Sequence, residues 1–367
     1  MDTHFSHVFC STTLWSTNSF DFGVQMCYTY SMKYVLIDTA NLFFRARHGA
    51  FRASDTWEKV GFALHVTLMA ANKMARRFEA DHVVFALEGR SWRKDHYKPY
   101  KANRAVARAA LTDAEIEEDK MFWETYDNLT KYLSERTNCS VIRCPTAEGD
   151  DVIARWIALH PQDEHVVISS DTDFVQLLAA NVTQYNGITD ELHTIEGIFD
   201  AKGRAVIDKK TKEPKTIPDP AWLLFEKCMR GDSSDNVFSA FPGVRTKGTK
   251  NKVGLQEAFE DKDKKGYAWN NLMLQRWTDP DGVEHRVLDD YERNRTLIDL
   301  TAQPEEIKTV VDTAIREQIS HKDIGQVGVR FMQFCGKYEL NKCSESADSF
   351  GRWLNETYKG TLNDHSS

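Results

Sequence analysis

Short unbroken apolar runs alternate along the chain with longer stretches whose apolar positions recur every three or four residues. Lys33–Ile37, His82–Leu87, Cys139–Cys144 and His165–Ser169 are of the first kind. Such runs suit strands buried on both faces of a parallel sheet. Of the second kind, Thr56–Glu79 carries Val60, Leu64, Leu68, Ala71, Ala75 and Phe78 on one face. A stretch from about Asp113 to Glu135 does the same with Ile116, Trp123, Tyr126, Leu129 and Leu133, and Val152, Ile153, Trp156 and Ile157 start a third. These predict helices. Strand–helix–strand order implies parallel pairing through right-handed crossovers, so the expected fold class is α/β, a mostly parallel central sheet flanked by helices.

Past this alternation the pattern loosens. Residues 182–217 mix β-prone and turn-like pieces and read as a hairpin insertion. A helix at Pro220–Met229 meets Gly231-Asp232-Ser233-Ser234-Asp235-Asn236, Pro242-Gly243-Val244 opens a turn, and Val253–Phe259 resumes a helical pattern. Backbone N–H groups in such a turn suit a phosphate. The expected division is an extension over 1–31, disordered or upstream of a true start at Met32; an α/β domain over 32–217; a helical region over 218–355; and a frayed tail over 356–367.

Composition narrows the class. With 367 residues and 41% apolar content the chain can bury a sizeable core. No apolar run of about 18 residues and no signal-peptide pattern occurs, so a soluble, cytoplasmic protein with no membrane partner is expected. Its seven cysteines lack metal-ligand spacing and read as reduced thiols. A net charge of −8 argues against a simple basic binder of nucleic acid, but the cations are bunched. Arg90, Arg93, Lys94, Lys98, Lys101, Arg104 and Arg108 face the single acid Asp95, and Arg245, Lys247, Lys250 and Lys252 face none. Both blocks are candidate phosphate-facing surfaces.

The acids are bunched too. Three strand runs end in one: Asp38, Glu88, and Asp171 with Asp173. Singly, each suits a helix cap or turn; together they would line the carboxyl edge of a parallel sheet, where ligands bind. Glu148, Asp150 and Asp151 open the Val152–Ile157 helix, which the macrodipole alone partly explains, with Asp151 suited to a capping or supporting role. Asp232 and Asp235 complete nine. Like charges 4 Å apart cost about 4 kcal/mol per pair at an effective dielectric near 20, so such a rim needs a cation. All-oxygen ligands without His or Cys point to Mg²⁺, with Mn²⁺ as substitute. With those nine acids set aside, the remaining formal charge is +1. Two such ions are the recurrent device for in-line attack on a phosphodiester. Trp92, Tyr97 and Tyr100, interleaved with the cations of the first basic block, suit a single strand held by charge and base stacking.

Six ordered motifs carry a family resemblance: Ile37-Asp38-Thr39-Ala40-Asn41, Phe85-Ala86-Leu87-Glu88, Tyr100-Lys101-Ala102-Asn103-Arg104, Glu148-Gly149-Asp150-Asp151, Ser170-Asp171-Thr172-Asp173 and Gly231-Asp232-Ser233-Ser234-Asp235-Asn236. Together they resemble the flap endonuclease / 5′–3′ exonuclease superfamily of PIN-like nucleases, with the T-even phage ribonuclease H branch nearest. Tyr291–Asp299 extends the likeness. The resemblance implies a PIN-like core with a basic arch at about 89–115 and a helix–three-turn–helix at about 231–260 that holds duplex DNA. It implies metal ligation by Asp38, Glu88, Glu148, Asp150, Asp171 and Asp173, with Asp151 adjacent and Asp232 and Asp235 at a second metal. Lys101 and Arg104 match residues at the scissile phosphate. DNA contacts are expected from Arg93, Lys94, Tyr100, Gly243, Arg245, Lys247 and Lys250, and a K⁺ ion at the helix–three-turn–helix. The implied function is removal of 5′ flaps and RNA primers in lagging-strand replication by a monomer, acting on DNA and RNA–DNA duplexes beside replication proteins such as a single-strand-binding protein or clamp, in the host cytoplasm for a phage-encoded chain. Two features depart from the family: Glu88 stands where members usually have Asp, and Val244–Lys250 is longer than the usual turn. A branched-DNA-binding protein with weakened catalysis and a PIN-type ribonuclease stay open as alternatives.

Overall fold

The computed structural model describes residues 31–50, 53 and 55–363, so the expectation for 1–31 lies, apart from Ser31, outside the described residues. The four apolar runs are four parallel strands, and a fifth joins them: β1 (Lys33–Asp38), β2 (His82–Leu87), β3 (Ser140–Arg143), β4 (Glu164–Ile168) and β5 (Val182–Asn186). Antiparallel β6 (Glu191–Thr194) and β7 (Gly197–Phe199) finish a sheet of order β3-β2-β1-β4-β5-β6-β7. The 182–217 stretch is therefore a parallel strand plus an antiparallel edge. The chain winds outward from β1 to β3 and then returns to β4 on the other side of β1. At that reversal the loops leaving adjacent strands diverge and open a crevice.

Helices α1 (Thr39–Gly49) and α2 (Thr56–Arg77) connect β1 to β2. Helices α3 (Arg93–His96) and α4 (Ala102–Ala109) lie in the basic segment, α5 (Asp113–Arg136) leads to β3, and α6 (Gly149–Leu159) follows it. The predicted face of α2 is buried, but the buried face of α5 begins at Phe122, leaving Ile116 and Trp123 exposed. Helix α7 (Pro220–Arg230), α8 (Leu255–Glu260), α9 (Tyr267–Met273), the hairpin β8 (Arg276–Thr278) and β9 (Glu284–Arg286), and α10 (Val287–Ile298) come next. They gather round a core of their own, including Phe225, Met229, Leu255, Trp269 and Leu272.

The helical region expected over 218–355 is shorter than that. Helix α11 (Glu305–Gln318) places Val311 and Ile315 in one core with Ile153 and Trp156 of α6. Helices α12 (Val327–Lys337), α13 (Asn341–Glu345) and α14 (Ala347–Leu354) bring Phe331, Cys343, Phe350 and Trp353 to the opposite core, with Leu64, Phe85 and Leu129. The chain thus returns to cover both faces of the sheet. Residues 356–363 are packed rather than frayed: the Tyr358 hydroxyl lies 2.8 Å from His160 Nε2, and the Asn363 N–H donates to the Leu159 carbonyl at 2.9 Å. Cys139, Cys144, Cys228, Cys335 and Cys343 are buried free thiols. Among the described residues no helix is long and apolar enough to cross a membrane.

Candidate metal centre

Asp38 ends β1 at the sheet's reversal, and the Asn41 N–H and the Ser169 hydroxyl, from the end of β4, donate to its carboxylate at 3.1 and 2.8 Å. Glu88 follows β2. The next residue must be glycine: a Cβ on Gly89 would stand 1.9 Å from the Cys144 carbonyl oxygen, because the chain leaving β2 runs against the 144–147 loop, donating from Gly89 N to the Ala147 carbonyl at 3.0 Å. That approach carries Glu88 to the start of α6, where Gly149 N–H reaches its carboxylate at 3.4 Å. Asp150 stands in the first turn of α6.

Oxygens of Asp38, Glu88 and Asp150 lie within 4.8 Å of one another. Burial pushes the Asp38 pKa up to about 6 against the hydrogen bonds from Ser169 and Asn41, and burial followed by neighbouring carboxylates pushes that of Glu88 up to about 7 and raises Asp150 well above the usual range. Among the described residues none of the three makes an ion pair, and Lys101 is the cation that opposes their charge. Three close, partly desolvated carboxylates without a paired cation make a donor set that fits a hard divalent ion.

The other six acids are arranged differently. Glu148 accepts from Ser91 (2.8 Å), Arg93 (3.0 Å), Tyr100 (3.0 Å) and Lys101. Burial would raise its pKa, but Lys101 and Arg93 outweigh burial and hold it down at about 2. The same Tyr100 hydroxyl lies 2.8 Å from Asp235, so its single proton is shared between the two carboxylates; Arg104 reaches Asp235 at 3.0 Å and Lys101 at 3.5 Å. Asp173 and Asp232 share Lys227 of α7. Asp171 accepts from the Asp173 N–H at 3.0 Å and caps the 3₁₀ turn Thr172–Leu177.

Three expectations are corrected. Asp151 is fully buried and bound by both Arg93 terminal nitrogens (2.8 Å each), Gln303 (2.7 Å) and Trp92 (3.1 Å). With its oxygens so occupied, it supports Glu148 and is not a metal ligand. Arg93 is as deeply buried, so it cannot face DNA; it ties the basic segment to α6 and, through the Leu297 carbonyl (2.7 Å), to α10. Tyr100 and Trp92 are likewise buried and anchor the segment instead of offering faces to bases, while Tyr97 is half-buried. The cations that face solvent are Lys94, Lys98 and, on α4, whose residues are all exposed, Arg104 and Arg108. Lys101, at the foot of α4 in a left-handed conformation (φ 52°), donates its N–H to the Asp235 carbonyl at 2.8 Å. In the loop after α7, Gly243 (φ +75°), Arg245, Lys247 and Lys250 are exposed. Sequence reasoning missed Lys227, Ser169, Ser91 and Gln303.

Residues 33–209 match the family model described as the 5′–3′ exonuclease N-terminal resolvase-like domain. The chain is 26% identical over 235 residues to a 5′–3′ exonuclease of Mycoplasmopsis pulmonis, spanning 63% of this chain and 69% of that protein. It is 26% identical over 231 residues to the flap endonuclease Xni of Shewanella loihica, covering 62% and 77%. A DNA polymerase I of Rhizobium leguminosarum is 27% identical over 206 residues, 56% of this chain, and the match spans only 16% of that longer protein. In fold the chain is similar to the T5 5′-exonuclease solved with divalent zinc, at a TM-score of 0.52 and 19% identity over 78% of this chain and 99% of that one.

Proposed function

We propose that this chain, whose residues 33–209 match the 5′–3′ exonuclease N-terminal resolvase-like domain, is a divalent-metal-dependent, structure-specific 5′ nuclease that hydrolyses phosphodiesters at 5′ ends and flaps of DNA and RNA–DNA duplexes, in the service of RNA-primer removal. The observation that carries the proposal is the Asp38–Glu88–Asp150 set: three carboxylates within 4.8 Å, unpaired, at the crevice of the sheet, with Lys101 beside them. Asp38, Glu88 and Asp150 would hold Mg²⁺, and Asp171, Asp173 and Asp232 border a second position. When bound, such ions lower the pKa of water and balance the charge of the leaving oxygen.

The chain's own residues do the rest. Lys101 is held by Glu148 and Asp235 at the mouth of the crevice, where its ammonium can exchange those acids for a phosphate. Arg104, more exposed, adds a second charge. Glu148, kept ionised by Arg93 and Lys101, fixes Lys101 and so the base of α4. The exposed loop after α7 offers Arg245, Lys247 and Lys250 to the duplex backbone, where each phosphate contact strengthens binding in a salt-dependent way. Glu88, which stands where family members usually have Asp, has a carboxylate oxygen within 4.8 Å of those of Asp38 and Asp150.

Cleavage of a 5′-flap DNA, a 5′-RNA–DNA duplex and a single-stranded RNA with Mg²⁺ and with chelator tests this. Metal-dependent cutting of the branched substrates is expected. Cutting of free RNA alone would establish the ribonuclease alternative, and binding without cutting in any metal would establish the binder. The same assay in KCl against tetramethylammonium chloride reads whether the 231–254 loop takes a K⁺ ion.

A further inference from the structure

The last turn of α10 and the loop after it, residues 297–304, meet both halves of the acid rim. Leu300 is buried in one core with Val152 of α6 and Phe174 of the 3₁₀ turn. Gln176, in the same turn as Asp173, straddles Asp299: its Nε2 donates to the Ile298 carbonyl at 3.1 Å, and its Oε1 accepts from the Leu300 N–H at 2.8 Å. On the other side Gln303, 2% exposed, donates to Asp151 at 2.7 Å, and the Leu297 carbonyl accepts from Arg93 Nε at 2.7 Å. One short loop therefore holds both the turn that Asp171 caps and Asp173 occupies, and the helix start that carries Asp150. Residues 297–304 lie outside the stretch that matches the family model.

Gln303 is not needed to make the burial of Asp151 tolerable. A carboxylate has about four lone-pair sites, and Asp151 already accepts from both Arg93 terminal nitrogens, from Trp92 Nε1 and from the Glu148 N–H at 3.1 Å. Those donors come from the basic segment and from the start of α6 itself. Gln303 comes from beyond both, so what its hydrogen bond adds is location: it refers the first turn of α6, and with it Asp150, to the end of α10. Gln176 does the same for the opposite turn with both atoms of its amide. Two ions that act on one phosphodiester must stand at a set separation, so the ligands of the two positions need a common reference, and groups one step behind the ligands tune metal affinity. We infer that residues 297–304 are a strut that fixes the spacing between Asp150 and the Asp171–Asp173 turn, with Gln303 and Gln176 as its positioning residues, an assignment that rests on the nuclease function proposed above.

The test uses the full chain with Gln303→Met, Gln176→Met and both together; methionine keeps length and bulk and removes the amide. Mn²⁺ binding is measured by calorimetry without DNA, flap affinity in Ca²⁺, and the maximal single-turnover rate on a 5′-flap duplex in Mg²⁺. Each single variant should bind one of two Mn²⁺ ions about tenfold more weakly and cut about tenfold more slowly, the low end for a residue behind the ligands, with flap affinity unchanged. The double variant should fall little further than either single, because releasing one end of the strut already frees the other. Variants with wild-type Mn²⁺ affinity and rate overturn the strut, as do losses that multiply in the double variant or a flap affinity that falls with the rate. A loss that vanishes well below a variant's unfolding midpoint is a folding defect and overturns it too. Should methionine prevent folding, Gln303→Asn, which keeps the amide one methylene short, is read against the same outcomes. A wild type that takes up a single Mn²⁺ leaves no spacing to set and overturns the strut. A wild type that binds two Mn²⁺ and cuts nothing sinks only the nuclease, and the Mn²⁺ titrations still judge the strut; a cutting wild type whose variants bind and cut normally sinks only the strut.

Discussion

Asp150→Asn should stabilise the metal-free protein while sharply lowering its activity. The carboxylate oxygens of Asp38, Glu88 and Asp150 lie within 4.8 Å, where each like-charged pair costs about 3 kcal/mol at an effective dielectric near 20. Burial raises Asp38 from 3.8 to about 6 against the hydrogen bonds from Ser169 and Asn41, and burial followed by repulsion from Asp38 and Glu148 raises Glu88 from 4.5 to about 7. An acid whose folded pKa lies above its unfolded value binds more protons when folded. Its stabilisation is full below the unfolded pKa and is lost as pH rises through the folded one, here between about 4 and 7. At pH 7.5 in EDTA the asparagine variant should therefore be more stable by about 3 kcal/mol in urea unfolding, reduced where solvent screens the partly exposed Glu88 and Asp150. The difference should shrink toward zero as pH falls to about 4. Mg²⁺ should reverse the order, since a ligand at 100 times its Kd adds about 2.7 kcal/mol to the wild type and less to a variant lacking one donor. Flap cleavage should fall by roughly 10² or more. A variant less stable than wild type in EDTA at pH 7.5, or a gap that does not close with acid, would refute the electrostatic account of the cluster.

Arg93→Met should cost about 3–5 kcal/mol in urea unfolding, because Asp151 is left buried and unpaired; the salt slope of DNA binding should stay that of wild type, and a shallower slope would put Arg93 on the DNA after all. Lys101→Ala should lower single-turnover cleavage about 10²-fold with flap affinity little changed, and an unchanged rate would remove Lys101 from the chemistry. Burial depresses His82, His160 and His165 to about 4. Their stabilisation is full above about 6.5 and is lost as pH falls toward 4, at roughly 3 kcal/mol for a fully shifted histidine. Replacing His82 by Asn should flatten acid unfolding over that window, and an unchanged profile would show that His82 already protonates in the folded state.

What the sequence disclosed and what it hid follow different physics. Strands β1, β2 and β4 were legible because buried parallel strands are short runs of one kind, and the acids at their ends because a parallel sheet collects strand ends along one edge. Asp38 and Glu88 were found that way, and Asp150 from the acid-rich start of the helix that follows β3. Helices α11 to α14 have ordinary amphipathic patterns, but a pattern names a buried face without naming its neighbour, so their return to the sheet was not readable. Trp92 and Tyr100 misled for a related reason. Aromatics among cations look the same whether they stack on bases or anchor a loop, and the distinction rests on Asp151, Glu148 and Asp235, which only folding brings to them. Lys227 was invisible because a lysine in the last turn of a helix is already explained by the macrodipole.

The nine acids that suggested a metal rim were counted as one unbalanced cluster, and the structure divides them. Glu148, Asp151, Asp173, Asp232 and Asp235 are ion-paired with Arg93, Lys101, Arg104 or Lys227. Their assembly therefore does not by itself require a metal. The requirement falls on the acids left over, Asp38, Glu88 and Asp150, with Asp171 at their edge. That division also ties the basic segment to the chemistry. Lys101 and Tyr100 each bridge Glu148 and Asp235, so the foot of α4 is pinned to α6 on one side and to the loop after α7 on the other. A phosphate that draws Lys101 away from Glu148 leaves Arg93, Ser91 and Tyr100 still holding that carboxylate. The lysine can then change partners without unfolding the segment that presents it, which a lone surface ion pair would not permit.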